Sequence, residues 1–138
     1  MKPCSLCQPE NETVLWRNDR CRVILVEDPD YPGYCRIIWG GHVKELTDLN
    51  EPDRAHMMTV LFATEEVLRE VLHPDKVNLA SLGNQVPHLH WHVIPRFADD
   101  AHFPDPVWAV RKRDPRPRFM DREDLARKLA RRLGEHLD

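Results

Sequence analysis

The segment His88-Leu89-His90-Trp91-His92-Val93-Ile94-Pro95 places three imidazoles at alternate positions. Leu89, Trp91 and Val93 between them are apolar, aromatic and β-branched, the types that suit a strand. A strand has a period of two, so the pattern predicts all three imidazoles on one face, about 6–7 Å apart along the chain. Three chemistries fit such a row. The rings can be structural histidines, each with a hydrogen-bond partner. A His-x-His pair can chelate zinc, given a third protein ligand and a carboxylate behind one ring. One ring can instead attack phosphorus while its neighbours hold the phosphoryl oxygens.

The elements that must carry this row can be read from the chain. Thr13–Arg17 and Cys21–Val26 are strand candidates joined by a tight turn at residues 17–20. Residues 27–33 contain two prolines and a glycine and read as a loop before a strand from Tyr34 to Trp39. Asn50 is a candidate N-cap and Pro52 fits the first turn of a long helix that ends before His73-Pro74. Ala55, Met58, Leu61, Phe62, Val67, Leu68 and Leu72 form its expected apolar stripe. Lys76–Leu82 is the next strand, and residues 83–87 turn the chain into the histidine strand. After a Pro-rich stretch over 98–119, Asp121 caps a last helix with Leu125, Leu129, Leu133 and Leu137 at four-residue steps. Strands in a run with one long helix between them predict an α+β fold with an antiparallel sheet.

At 138 residues the chain has the length of one domain. Its formal charge of −3 gives no pull toward nucleic acid, and no apolar run approaches a bilayer span, so neither partner is expected. Met1-Lys2-Pro3-Cys4 does not read as a signal peptide, and a cytoplasmic protein with reduced or metal-bound cysteines is expected. The chain divides by composition into residues 1–97 and a Pro-rich, basic extension over 98–138. Residues 99–138 hold half of all 20 Lys and Arg, balanced by nine Asp and Glu, as on a solvated surface.

The run from His88 to Arg96 resembles the signature of the histidine triad (HIT) superfamily. Two other segments resemble that family in the expected order: Pro32 to Val43, its Pro-Gly strand, and Asn78 to Val86, its amide-bearing turn. The resemblance spans roughly residues 4 to 97. It implies a HIT-like fold, with an antiparallel sheet, one long helix and here a C-terminal helix. It also implies a homodimer that cleaves at the α-phosphorus of a nucleoside 5′-phosphate derivative, such as a dinucleoside polyphosphate or a phosphoramidate. His90 would be the nucleophile, passing through a covalent nucleotidyl-histidine, and His92 would bind or protonate phosphate oxygens. The His88 carbonyl would orient the His90 ring. The chemistry would need no metal at the phosphate. Asn78, Asn84 and Gln85 would contact substrate, and Glu27, or Asp28 one residue on, would meet the ribose. Asn84-Gln85 stands where relatives have Gln then Ser/Thr, Tyr34 where many have His, and Trp39 where Pro is usual. The alternatives are a non-catalytic nucleotide-binding module and a zinc hydrolase using the triad as ligands.

Cys4-Ser5-Leu6-Cys7 is a C-x-x-C knuckle, which by itself fits two free thiols, a disulfide or a metal site. The resemblance extends to HIT members in which such a knuckle joins two histidines around a structural zinc. Carried over, the ligands would be Cys4, Cys7, His42 and His88. Cys21 and Cys35 lie inside strands and are expected as small core residues.

Overall fold

The computed structural model describes residues 4–137. Five strands form one antiparallel sheet: β1 (Thr13–Arg17), β2 (Cys21–Leu25), β3 (Cys35–Trp39), β4 (Lys76–Ala80) and β5 (His90–Arg96), in the order β1-β2-β3-β5-β4. Two helices, α1 (Glu51–Leu72) and α2 (Arg122–His136), pack against it. This is the α+β architecture expected from the sequence. No described helix is long and apolar enough to cross a membrane.

The Asn50 side chain accepts from the Asp53 amide at 2.9 Å, and His73 closes α1 in the left-handed region at φ 49°. The buried face of α1 is Met57, Val60, Leu61, Ala63, Thr64, Val67 and Leu68, so the predicted stripe is rotated. Ala55 and Phe62 are exposed. The reason is that α1 meets the sheet on one side and α2 on another, which draws in Val60 and Ala63 as well. Leu125, Leu129 and Leu133 of α2 are buried in the same core, as their spacing predicts. Arg132 ties the helices together by pairing with Glu66 and Glu70. Cys21 and Cys35 are buried, and burial pushes both thiols up to about 12.

Both strands flanking the 83–87 turn are shorter than predicted. Strand β4 stops at Ala80, and β5 starts at His90 rather than His88. The Leu89 amide donates to the Val43 carbonyl at 2.7 Å, and the Trp39 amide donates to the Leu89 carbonyl at 3.1 Å. His88 and Leu89 are therefore held against the loop that follows β3. The three imidazoles do not form one row: His90 and His92 share a strand face, and His88 stands outside the ladder.

The Pro-rich segment is fastened beneath β5 by a buried ion pair. Arg96 Nε and Nη2 donate to the Asp100 carboxylate at 2.7 and 3.0 Å, and both residues are 2% exposed or less. Asp100 also accepts from the amides of Phe97, His102 and Phe103 at 3.0, 3.1 and 2.8 Å. Burial opposes its ionisation, but the bonds from Arg96 and these amides outweigh that and hold the carboxyl well below its usual range. Replacing Asp100 by Asn would leave Arg96 buried and unpaired, with an expected loss of about 3–5 kcal/mol in urea unfolding. Because the folded-state pKa is depressed, the stabilisation is complete above the ordinary carboxylate value of ~3.9 and is lost as pH falls below it. The acid-induced loss of stability should be shallower in Asp100→Asn than in the wild type.

Candidate active site and metal cluster

His88 divides the region in two. Its Nε2–H donates to the Trp39 carbonyl at 2.6 Å, which leaves the Nδ1 lone pair aimed at the knuckle. That Nδ1 lies 3.3 Å from Cys4 Sγ, 3.5 Å from Cys7 Sγ and 3.2 Å from His42 Nδ1, and Cys7 Sγ lies 3.3 Å from His42 Nδ1. All four ligand atoms fall within 4.8 Å of one another. A tetrahedral zinc with bonds of about 2.3 Å to sulfur and 2.0–2.1 Å to nitrogen needs edges of roughly 3.3–3.8 Å. The donor set and spacings fit such an ion, and the bond to the Trp39 carbonyl is the backing that a ligating histidine requires. Burial opposes ionisation of the Cys4 thiol. Hydrogen bonds from the Cys7 and Leu6 backbone turn the net shift downward, toward the thiolate a metal takes.

The same residue reaches the second half through its backbone. His90 Nδ1–H donates to the His88 carbonyl at 2.6 Å, so in the neutral ring the free lone pair is on Nε2. His90 and His92 meet edge to face with centroids 5.0 Å apart. Together they line a cleft of about 400 Å³ whose wall includes Leu6, Arg36, Asn84, Gln85 and Trp108. The Tyr34 hydroxyl lies 2.8 Å from His92 Nδ1, and Trp108 stands edge-on to His92 at 5.4 Å. Burial, reinforced by the positive charge of Arg36, pushes His92 down to about 4, so it is neutral at pH 7. A tyrosine hydroxyl donating to Nδ1 leaves the proton on Nε2, and His92 is then a neutral N–H donor.

Of the residues named from sequence, His90, His92, Asn84 and Gln85 come together around this cleft, and Cys4, Cys7, His42 and His88 around the other. Glu27 and Asn78 are elsewhere. The Glu27 carboxylate accepts from the Thr13 hydroxyl at 2.9 Å and pairs with Arg122 at 3.2 Å. The Asn78 side-chain oxygen accepts from Arg96 at 2.7 Å. Tyr34, Arg36 and Trp108 were assigned no role from sequence. Tyr34 and Arg36 could have been flagged by strand parity, since β3 pairs with β5 and puts Arg36 opposite His92. Nothing local marks Trp108, which arrives from the Pro-rich segment.

A five-stranded sheet bearing two cleft-facing imidazoles on a central strand, the first locked by the preceding histidine's carbonyl, defines a histidine triad protein. The model of the HIT domain family matches residues 8–99, and the chain belongs to that family. It is similar to AP-4-A phosphorylase of Mycobacterium tuberculosis, with 29% identity over 100 residues, 68% of this chain and 51% of the relative. The chain thus spans about half the length of the curated relatives it matches. A histidine triad protein of Bradyrhizobium japonicum superposes with a TM-score of 0.72 at 30% identity, covering 88% of this chain and 90% of that one. A zinc-bound histidine triad family protein of Mycobacterium smegmatis superposes at 0.60 with 27% identity, over 95% and 90% of the two chains.

His92 should report a single Nε2–H tautomer in nitrogen-15 NMR at pH 7 and protonate only near pH 4. Its depressed folded-state pKa means that acidification from about pH 6.5 toward 4 destabilises the fold. Replacing Tyr34 by Phe should mix the tautomers and cost about 1–3 kcal/mol in chemical unfolding, because Nδ1 loses its partner.

Proposed function

We propose that the chain is a nucleotidyl hydrolase or transferase that acts at the α-phosphorus of a nucleoside 5′-phosphate derivative through a nucleotidyl-His90 intermediate. The observation that carries this reading is the 2.6 Å bond from His90 Nδ1 to the His88 carbonyl. It presents one defined lone pair, on Nε2, beside a neutral donor on His92 in an open cleft. Membership of the HIT family and the likeness to an AP-4-A phosphorylase support it.

The steps follow from these atoms. The Nε2 lone pair of His90 forms a bond to the α-phosphorus, and the bond to the leaving group breaks with its electron pair. A phosphate leaving group departs as an anion, and an amine takes a proton from water in the cleft. The His92 Nε2–H donates to a non-bridging oxygen as charge develops there. Asn84 and Gln85 add amide donors from the 83–87 turn. Water, giving up a proton to solvent, or inorganic phosphate as the name of the curated relative suggests, then bonds to the phosphorus, and the bond from phosphorus to Nε2 breaks with its electron pair returning to Nε2. No group of three or more metal-ligating side chains among the described residues includes His90 or His92. A reading in which the triad itself binds a catalytic zinc is therefore disfavoured.

The cluster of Cys4, Cys7, His42 and His88 would hold a zinc as a closed structural site. Bound there, the ion supplies a crosslink that fixes the His88 peptide, and through it the His90 ring.

Rapid quench of the protein with a dinucleoside tetraphosphate or a nucleoside phosphoramidate should trap a nucleotidyl adduct on His90, seen by mass spectrometry. His90→Asn should lower kcat by at least about 1,000-fold. Turnover of that variant at the wild-type rate sinks the mechanism, and tight binding without product or adduct would identify a binding module. For the cluster, protein prepared without chelator should contain one zinc per chain. The double variant Cys4→Ser, Cys7→Ser should contain none and melt at a lower temperature.

A further inference from the structure

Arg36 is the single charged side chain among the residues that line the cleft with His90 and His92. It sits on β3 directly opposite His92, in an antiparallel pair whose Cα atoms are about 4.5–5.5 Å apart, so the two side chains leave the same face of the sheet. The two best-buried arginine ion pairs in the fold show the contrast. Arg22 makes two bonds to Glu12 at 2.8 and 2.9 Å, and Arg96 makes two to Asp100. Arg36 forms no ion pair among the described residues. Its Nε is buried without any hydrogen-bond partner, and its guanidinium carbon lies 5.7 Å from the centre of the Tyr34 ring.

That placement has a cost, since a half-buried cation loses hydration and gains nothing from a counter-charge. The cation also lowers the charge available from its neighbour, because it helps to keep His92 neutral. A cleft whose histidine donor is neutral has one fixed positive charge, and it is this guanidinium. An arginine fork presents several N–H groups in a plane, which matches phosphate oxygens in a way that one imidazole N–H does not. Arg36 also borders an adjoining cleft over β2, lined by Leu6, Ile24, Glu10 and Glu12. The Glu12 carboxylate there is engaged by Arg22, and neither it nor Glu10 forms an ion pair with Arg36 among the described residues.

We propose that Arg36 is the phosphate-recognition residue of the cleft: its guanidinium, which has no carboxylate partner among the described residues, binds phosphate oxygens of the nucleotide, and nucleoside 5′-phosphates are thereby preferred over uncharged nucleosides. The proposal rests on the reading of the cleft as a nucleotide site. It deepens that reading by assigning the charge recognition to a residue on β3 rather than to the histidines. The missing carboxylate leaves the outer edge of the guanidinium open to an incoming anion.

Equilibrium binding of adenosine and of adenosine 5′-monophosphate, measured by titration calorimetry, tests this without any turnover. The wild type should bind the monophosphate at least about 10 times more tightly than the nucleoside, and added salt should weaken that preference. Arg36→Gln should reduce the preference by about 10- to 100-fold, the range lost with a charged hydrogen bond, and flatten its salt dependence. Arg36→Lys, which keeps the charge and loses the fork, should fall between the two and guards against a Gln variant that does not fold. Unchanged preference in both variants overturns the proposal, as does a wild type that binds the two ligands equally. Intact phosphate preference with no adduct on His90 would instead sink the catalytic reading and leave Arg36 standing.

Discussion

The peptide of His88 is anchored twice, and the site depends on both anchors. Its ring is held between the Trp39 carbonyl and the cysteine knuckle, and its carbonyl accepts the Nδ1–H of His90 at 2.6 Å. A hydrogen bond at that length fixes both the rotation of the His90 ring and the nitrogen that carries its proton. If the His88 peptide turned, the lone pair on Nε2 would lose its bearing. The knuckle precedes the histidines by more than 80 residues, so the orientation of the His90 ring is secured by a contact very distant in sequence.

A second polar knot acts from the other end of β5. Arg96, the last residue of the strand, converges with Asp100 and the Asn78 oxygen in a fully hydrogen-bonded buried group. Such a network is costly to break and specifies one path for the backbone that leaves it. That path carries the Pro-rich segment back along the sheet and lays Trp108 against His92. The cleft is thereby bounded on one side by the 83–87 turn and on the other by a segment outside the HIT match at residues 8–99.

Much of this was legible in the chain because it is written in local codes. Period-two patterning, the Asn50 and Asp121 caps and the leucine steps of α2 located the strands and helices to within a few residues. The histidine run and the knuckle, read with the family resemblance, named the side chains that gather around each centre. What stayed hidden is tertiary. The stripe on α1 was misjudged because a second helix covers part of that surface. Strand β5 starts later than its pattern predicts because the His88 amide turns back to Val86 and Leu89 bridges Trp39 and Val43 at the end of β3. Asn78 reads as a substrate contact by position in the family pattern, and in the fold its side-chain oxygen accepts from Arg96, a partner that only tertiary structure supplies. Arg36 and Trp108 become meaningful only when β3 lies beside β5 and the chain folds back over them.

The sheet order places β5 between β3 and β4, paired along both edges. A strand in that position cannot be exposed by fraying, since releasing it breaks two ladders at once and with them most of the core. His90 is mounted on this doubly paired strand, while the turn over residues 83–87 and the Trp108 segment belong to the surface. Any opening of the cleft must then come from those two borders, with His90 stationary. In such a molecule the rate of exchange with solvent and the geometry of bond making are set by different parts of the chain and can be tuned separately.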